Sequence, residues 1–282
     1  MANNDLWSRP EDRVQETGEG WENNTQVSNS FQTYQENNGQ TWNGRQNAVP
    51  FEQTAPFTGA AAETLSTYIG KTFLWMFAGL LVTALVAFGM VSSGMTFRML
   101  YSGGTGVLIG VTIAEFAVVI LMSARIRKMS VAAAAACFLI YAALTGVTFS
   151  MYFFLFDLEA LVFAFGATAL FFGGMAAVSL IFKMELSSIR PYLLGGLIFL
   201  IVFGVLSMIF NLGAFNTAIC YVGIAIFLAY TAYDVSKIRA YYSYYAGQGE
   251  MLKKASIFSA LQLYLDFINL FLYILRLFAK RK

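Results

Sequence analysis

Asp234 and Asp266 are the residues of this chain best placed to do chemistry, because each stands in an otherwise apolar run. Glu115 is a third such residue. An ionised carboxylate at mid-membrane costs about 2.5–3.5 kcal/mol even on the permissive insertion scale. Such groups therefore face a bundle interior or a wet cavity, and they are functional candidates by default. Ser259, Gln262, Asp266, Asn269, Tyr273 and Arg276 recur at spacings of three and four, which puts them on one helical stripe among Leu, Phe and Ile. A helix of that pattern packs centrally, with its stripe toward a cavity. Gln262 and Asn269 either line that pathway or act as interhelical hydrogen-bond glue, worth about 0.6 kcal/mol per contact. An amide would glue without the charge penalty, so Asp266 itself reads as functional.

Asp234 lies in Ala-Tyr-Asp-Val-Ser-Lys, where the preceding apolar run ends. Alone it is compatible with a solvated helix-end carboxylate. The two runs are consecutive and antiparallel, however, so Asp234 and Asp266 can meet. Two carboxylates in contact at low dielectric cannot both ionise cheaply; they share a proton and titrate as a unit. Such a dyad senses pH without histidine, and deprotonated it is a hard oxygen site of the kind Ca²⁺ prefers. Glu115 precedes the basic cluster Arg125, Arg127 and Lys128 by about three turns. It either lines the same pathway or bonds within the bundle.

The elements that must carry these side chains follow from composition. The chain has 282 residues, 58% hydrophobic and 12% charged, with a mean hydropathy of +0.61. Soluble domains carry roughly 25% charged residues, so a soluble enzyme is excluded on composition. Apolar stretches long enough to cross a bilayer run at about 73–92, 105–124, 131–153, 160–182, 191–211, 215–234 and 257–278. The expected fold is all-α: a polytopic membrane protein of seven transmembrane helices, the last one central, over residues 65–282. Gly106 and Gly110, and the run Ala132–Ala136, offer small faces for helix contact. Residues 1–64 are rich in Asn and Gln and lack apolar periodicity, which predicts a disordered tail. Trp7, Trp21 and Trp42 in that tail are possible anchors for a membrane-protein partner.

Nine Lys and Arg fall in the loops after the second, fourth and sixth runs, whereas the alternate loops hold only Arg98. That asymmetry predicts a cytoplasmic amino terminus and insertion in a cell (plasma or inner) membrane. A full seventh span conflicts with Arg276, Lys280, Arg281 and Lys282, which it would place outside; a re-entrant last segment is the alternative. Net charge is +2 with no histidine, which removes His–metal centres and Ser-His hydrolases and gives no reason to expect nucleic acid. Cys137 and Cys220 sit in apolar runs as buried thiols. The expected partners are the lipid bilayer, protons and Ca²⁺, with no cofactor.

The stretch Ala-Leu-Gln-Leu-Tyr-Leu-Asp266-Phe-Ile-Asn-Leu-Phe resembles the signature of the Bax-inhibitor (transmembrane Bax-inhibitor-motif) family. Tyr233-Asp234-Val-Ser-Lys-Ile, Glu115 before a basic inner loop, and Tyr141-Ala-Ala-Leu-Thr-Gly-Val-Thr are similar to other segments of that family. The resemblance covers about residues 65–282. It implies a seven-helix fold with a central last helix and a pH-regulated calcium leak in which Asp234 and Asp266 form the sensor. It also implies an arginine latch at the inner end of the second helix, where Arg125 and Arg127 lie.

The leading expectation is thus a non-enzymatic, proton-gated cation leak with Ca²⁺ as the ion. A second is a non-transporting regulator that binds a membrane protease or stress-response partner. A third is an intramembrane aspartyl protease, which also places two aspartates on consecutive helices. There the second aspartate follows Gly-x-Gly, whereas Asp266 follows Leu263-Tyr264-Leu265.

Overall fold

In the computed structural model the described residues are 64–102, 104–183, 186–210 and 215–278. The expectations for the amino-terminal tail, and for Lys280, Arg281 and Lys282, lie outside them. Among the described residues there is no strand. Seven long helices carry the chain: α1 (Leu65–Ser92), α2 (Gly104–Arg125), α3 (Val131–Ser150), α4 (Leu158–Ile181), α5 (Arg190–Phe210), α6 (Asn216–Tyr244) and α7 (Gly249–Phe278). Each supplies a segment long and apolar enough to cross a membrane. Thr64 and Ser130 start α1 and α3 by accepting the amides of Thr67 and Ala133, the usual satisfaction of orphan helix donors.

The packing is that of a protein whose solvent is lipid. Along α1, Leu74, Phe77, Leu81, Leu85 and Phe88 form one outward stripe of exposed side chains. The opposite face turns Tyr68, Thr72, Met76, Gly79, Thr83 and Ala87 inward. Small and hydroxylated residues go inside because lipid tails are as apolar as Leu, which leaves close packing and hydrogen bonds to hold helices together. Backbones approach where glycine permits. Gly79 lies against the Phe138 ring, and a Cβ on Gly146 would stand 2.8 Å from the Thr83 carbonyl oxygen. Gly106 and Gly110 face open space instead. Their helix, α2, is peripheral, so the small face expected there makes no contact.

α7 is the hub, packing on α1, α3, α4 and α6. In its most apolar window 67% is buried, against 6% for α2. It is one unbroken helix of 30 residues, about 45 Å at 1.5 Å per residue, and it meets the length of a full span rather than a re-entrant hairpin. Arg276 at its far end is exposed, over the Tyr273 ring at 5.6 Å.

Both helices of the α6–α7 hairpin outrun their apolar stretches. Lys237, Arg239, Lys253 and Lys254, expected in a loop, are helical. The true connection is Tyr245–Gln248, where Gly247 takes φ of 81°, a conformation that glycine adopts without strain. The basic ends gather: Lys254 donates to the carbonyls of Met129 (3.0 Å) and Arg127 (3.5 Å), and Arg239 to those of Ser179 and Leu180.

Candidate functional site

Antiparallel packing of α6 on α7 brings the two aspartates together. Tyr273 packs against Gly223 and stacks on Phe227 at 5.8 Å between ring centroids. Two turns back along α7 and forward along α6, Asp266 falls within the electrostatic reach of Asp234. Both carboxylates are buried, Asp234 at 6% exposure and Asp266 at 4%. Asp266 Oδ2 has no hydrogen-bond partner, a condition that costs about 1–3 kcal/mol for a buried polar group and more for a charged one.

The cation at this site is Lys237, one helical turn beyond Asp234. Its Nζ stands 3.4 Å from Asp234 Oδ1, and it lies 5.1 Å and 5.6 Å from the centroids of the Tyr233 and Tyr241 rings. Lys237 also acts electrostatically on Asp266, and Tyr230 is within reach of both carboxylates. The cluster is therefore two carboxylates, one ammonium and three neighbouring phenols, Tyr230, Tyr233 and Tyr241. Arg125 and Arg127 are exposed, and the Arg127 backbone is engaged by Lys254. Hydropathy reading assigned Lys237 to a loop as a charge that orients the chain. Its spacing of three from Asp234, which pairs side chains on a helix, was the available signal.

The rest of the stripe divides. Ser259 is buried with an unpartnered hydroxyl. Asn269 donates to the Leu265 carbonyl of its own helix at 2.8 Å, so it is not bonded across helices through that amide. Gln262 is half-buried.

Glu115 belongs to a second polar cluster. Thr148 Oγ1 donates to Glu115 Oε1 at 3.0 Å, linking α2 to α3. Thr145 faces Glu115, Tyr141 and Tyr264, with no partner in hydrogen-bond geometry for its own hydroxyl. Tyr264 in turn shares a 2.6 Å hydrogen bond with Thr83 on α1, and its ring sits edge-on to Phe138 and Tyr141. Tyr264 and Asp266 are two residues apart, about 200° around the helix. Glu115 and the aspartates thus flank α7 on opposite sides. Among the described residues no three His, Cys, Asp or Glu gather as a metal cluster. A cation at the aspartates would take two carboxylates and complete its oxygen shell from water and phenol or carbonyl groups.

A bundle of seven membrane-crossing helices, wound about a last helix that buries a carboxylate pair, defines an integral membrane protein of the multi-pass α-helical class. The family model described as inhibitor of apoptosis-promoting Bax1 matches residues 65–282, and the chain belongs to this Bax-inhibitor family. It is 36% identical over 226 residues to the inner membrane protein YbhL of Escherichia coli K12, covering 77% of this chain and 93% of that relative. A protein of Borreliella burgdorferi is 34% identical over 215 residues, covering 76% and 92%. A membrane protein of Streptococcus pyogenes is 32% identical over 171 residues, covering 61% and 73%.

Proposed function

We propose that this protein is a pH-regulated passive leak for cations, Ca²⁺ foremost, with Asp234 and Asp266 as its proton and cation sensor. The observation that carries the proposal is the buried, unpartnered carboxylate oxygen of Asp266 beside a second aspartate that already holds Lys237. A purely structural pair would be cheaper as amides or as apolar side chains. Protons neutralise the pair. Their loss sets two negative charges against one ammonium, and the imbalance either admits a divalent cation or drives α6 and α7 apart. Lys237 is the cation that holds the pair in the arrangement described above. The seven helices insert with the amino terminus cytoplasmic, which puts the basic end of the bundle, and the sensor near it, on the cytoplasmic side.

The test is Ca²⁺ entry into dye-loaded proteoliposomes measured against pH. Wild-type flux should change with pH, and Asp266→Asn and Asp234→Asn should each flatten the profile. Flux that retains its full pH dependence in both variants refutes the assignment.

A further inference from the structure

A groove enters the bundle between α1 and α4, in the half away from Lys237 and Lys254. α1 packs on α3 and α7, and α4 packs on α6 and α7. The gap left between α1 and α4 is an apolar groove of about 340 Å³. Side chains within 80–87 of α1 form one wall and side chains within 158–165 of α4 the other. The end of α3 and its following turn (149–153) and residues 267–271 of α7 lie behind them. No charged residue is among its described lining residues. We propose that this groove is a binding site for one acyl chain of a bilayer phospholipid.

The lining suits hydrocarbon. Phe149, Phe153, Phe165, Phe267 and Phe271 supply its aromatic surface. Thr83 and Tyr152 bear its hydroxyls; that of Thr83 is already bonded to the Ala142 carbonyl at 2.9 Å and to Tyr264 at 2.6 Å. Water has little to hold it there, since a buried water needs about two to four polar partners. The walls support one another. Phe267 stands edge-on to Phe165 at 5.4 Å, and Phe271 lies against Phe149 at 5.5 Å, so the rings keep the groove open rather than falling into it. A preformed, mostly apolar and aromatic cleft of roughly 300–1,000 Å³ is what small apolar ligands occupy.

The occupant follows from what the groove adjoins. Ala84 on its rim is exposed and lies one turn from Leu81 and Phe88 of the outward stripe of α1. Leu158 and Val162 on the facing rim are exposed as well, so the groove is continuous with the surface that meets lipid. Length then decides between a chain and a helix. The α1 wall is two turns long, about 10 Å. That seats an acyl chain within one leaflet, about 15 Å deep, but supports only a third of a helix that crosses about 30 Å. A chain on the convex face of α2 touches protein on one side, whereas here it lies between two helices and against a third, which retains it. Phe267 directly follows Asp266, so an occupied groove braces α7 beside the sensor. That consequence rests on the leak proposed above, whereas binding does not.

The full chain is reconstituted in phosphatidylethanolamine and phosphatidylglycerol vesicles doped with a phosphatidylethanolamine that carries a mid-chain diazirine. It is then extracted, washed in excess detergent to strip loosely held lipid, and irradiated, and the labelled peptides are mapped. The retained lipid should label the segments 80–87 and 158–165 and leave α2 unlabelled. Ala84→Phe fills the groove and should lower that labelling at least fivefold. Ile113→Phe, on the exposed face of α2, should leave it unchanged. Val162→Phe fills the groove from α4 and decides the case if Ala84→Phe fails to fold. Wild-type protein that retains no label, label spread equally over α2 and the groove, or groove labelling unaltered by both filling variants overturns the proposal. Walls that stay unlabelled while the protein cross-links through them as a dimer assign the groove to a second copy and overturn it too. Flux plays no part in the readout, so a protein that fails to conduct Ca²⁺ leaves the binding result intact.

Discussion

Asp266→Asn separates a sensor from a structural contact, because the two roles predict opposite effects on stability. The wild-type carboxylate is buried, lacks a partner for Oδ2, and has a second carboxylate in reach. Removing a charge from that setting recovers about 2.5–3.5 kcal/mol if the charge is fully present. The amide that replaces it has polar atoms of its own to satisfy, at about 1–3 kcal/mol. The difference is a gain of roughly 1 kcal/mol for the variant at alkaline pH. Under acid both side chains are neutral and nearly the same shape, so the two proteins should converge. Unfolding in mixed micelles is readable through Trp75, which stands edge-on to Phe138 at 6.5 Å. Wild type and variant titrated across the acid-to-alkaline range should diverge only toward alkaline pH, with the variant the more stable. A variant destabilised by more than about 1 kcal/mol at every pH would show that Asp266 makes a structural hydrogen bond, and the sensor argument would fail with it.

Three further outcomes test neighbouring parts of the same logic. Lys237→Met strips the cation from Asp234; breaking a buried pair costs about 3–5 kcal/mol, and the 24% exposure of the Lys237 side chain scales this toward about 2 kcal/mol. Lys237→Met with Asp234→Asn should recover most of that loss, a coupling that a double-mutant cycle of unfolding energies measures. Gly146→Ala forces a methyl to within 2.7 Å of Val86 Cβ and 2.8 Å of the Thr83 carbonyl and should destabilise by about 1–3 kcal/mol. Gly110→Ala meets nothing within 4 Å, so the same assay should show no loss and a gain of up to about 1 kcal/mol from helix propensity.

Much of this architecture is legible in the sequence because bilayer thickness imposes a length on every apolar run. Acids are so costly in such runs that Glu115, Asp234 and Asp266 stand out unaided. The helix ends were not legible. Beyond Asp234 the chain continues as Val-Ser-Lys-Ile-Arg-Ala-Tyr-Tyr, polar enough to leave the hydropathy window yet free of any Gly or Pro that would stop a helix. The hairpin therefore extends past the membrane core, and Lys237 and Arg239 are fixed on α6 rather than free in a loop. Contact faces were also hidden. Gly106 and Gly110 have the spacing of a helix–helix motif, but which helix is peripheral depends on tertiary arrangement. The glycines in contact, Gly79, Gly146, Gly196 and Gly223, show no such spacing because each answers a neighbouring side chain or a backbone approach.

The central position of α7 gives the two polar clusters their relation. Its Tyr264 face is pinned: the hydroxyl is bonded to Thr83 at 2.6 Å, and the ring is clasped between Phe138 and Tyr141. Those partners belong to α1 and α3, which glycine brings into backbone contact. Its Asp266 face meets α6, where Tyr273 packs on Gly223 and Phe227, Asp234 is ion-paired at 3.4 Å with Lys237 of its own helix, and one Asp266 oxygen is unsatisfied. One side of the hub is thus tied across helices by hydrogen bonds as well as close packing, whereas on the other the aspartates carry charges that a proton or a cation can rebalance. Movement driven by titration should therefore appear between α6 and α7 while α1, α3 and α7 stay together. A spin-label pair across α6 and α7 should change distance with pH, and a pair across α1 and α3 should not. Equal displacement of both pairs would mean that the bundle responds as a whole and that the aspartates do not act as a local switch.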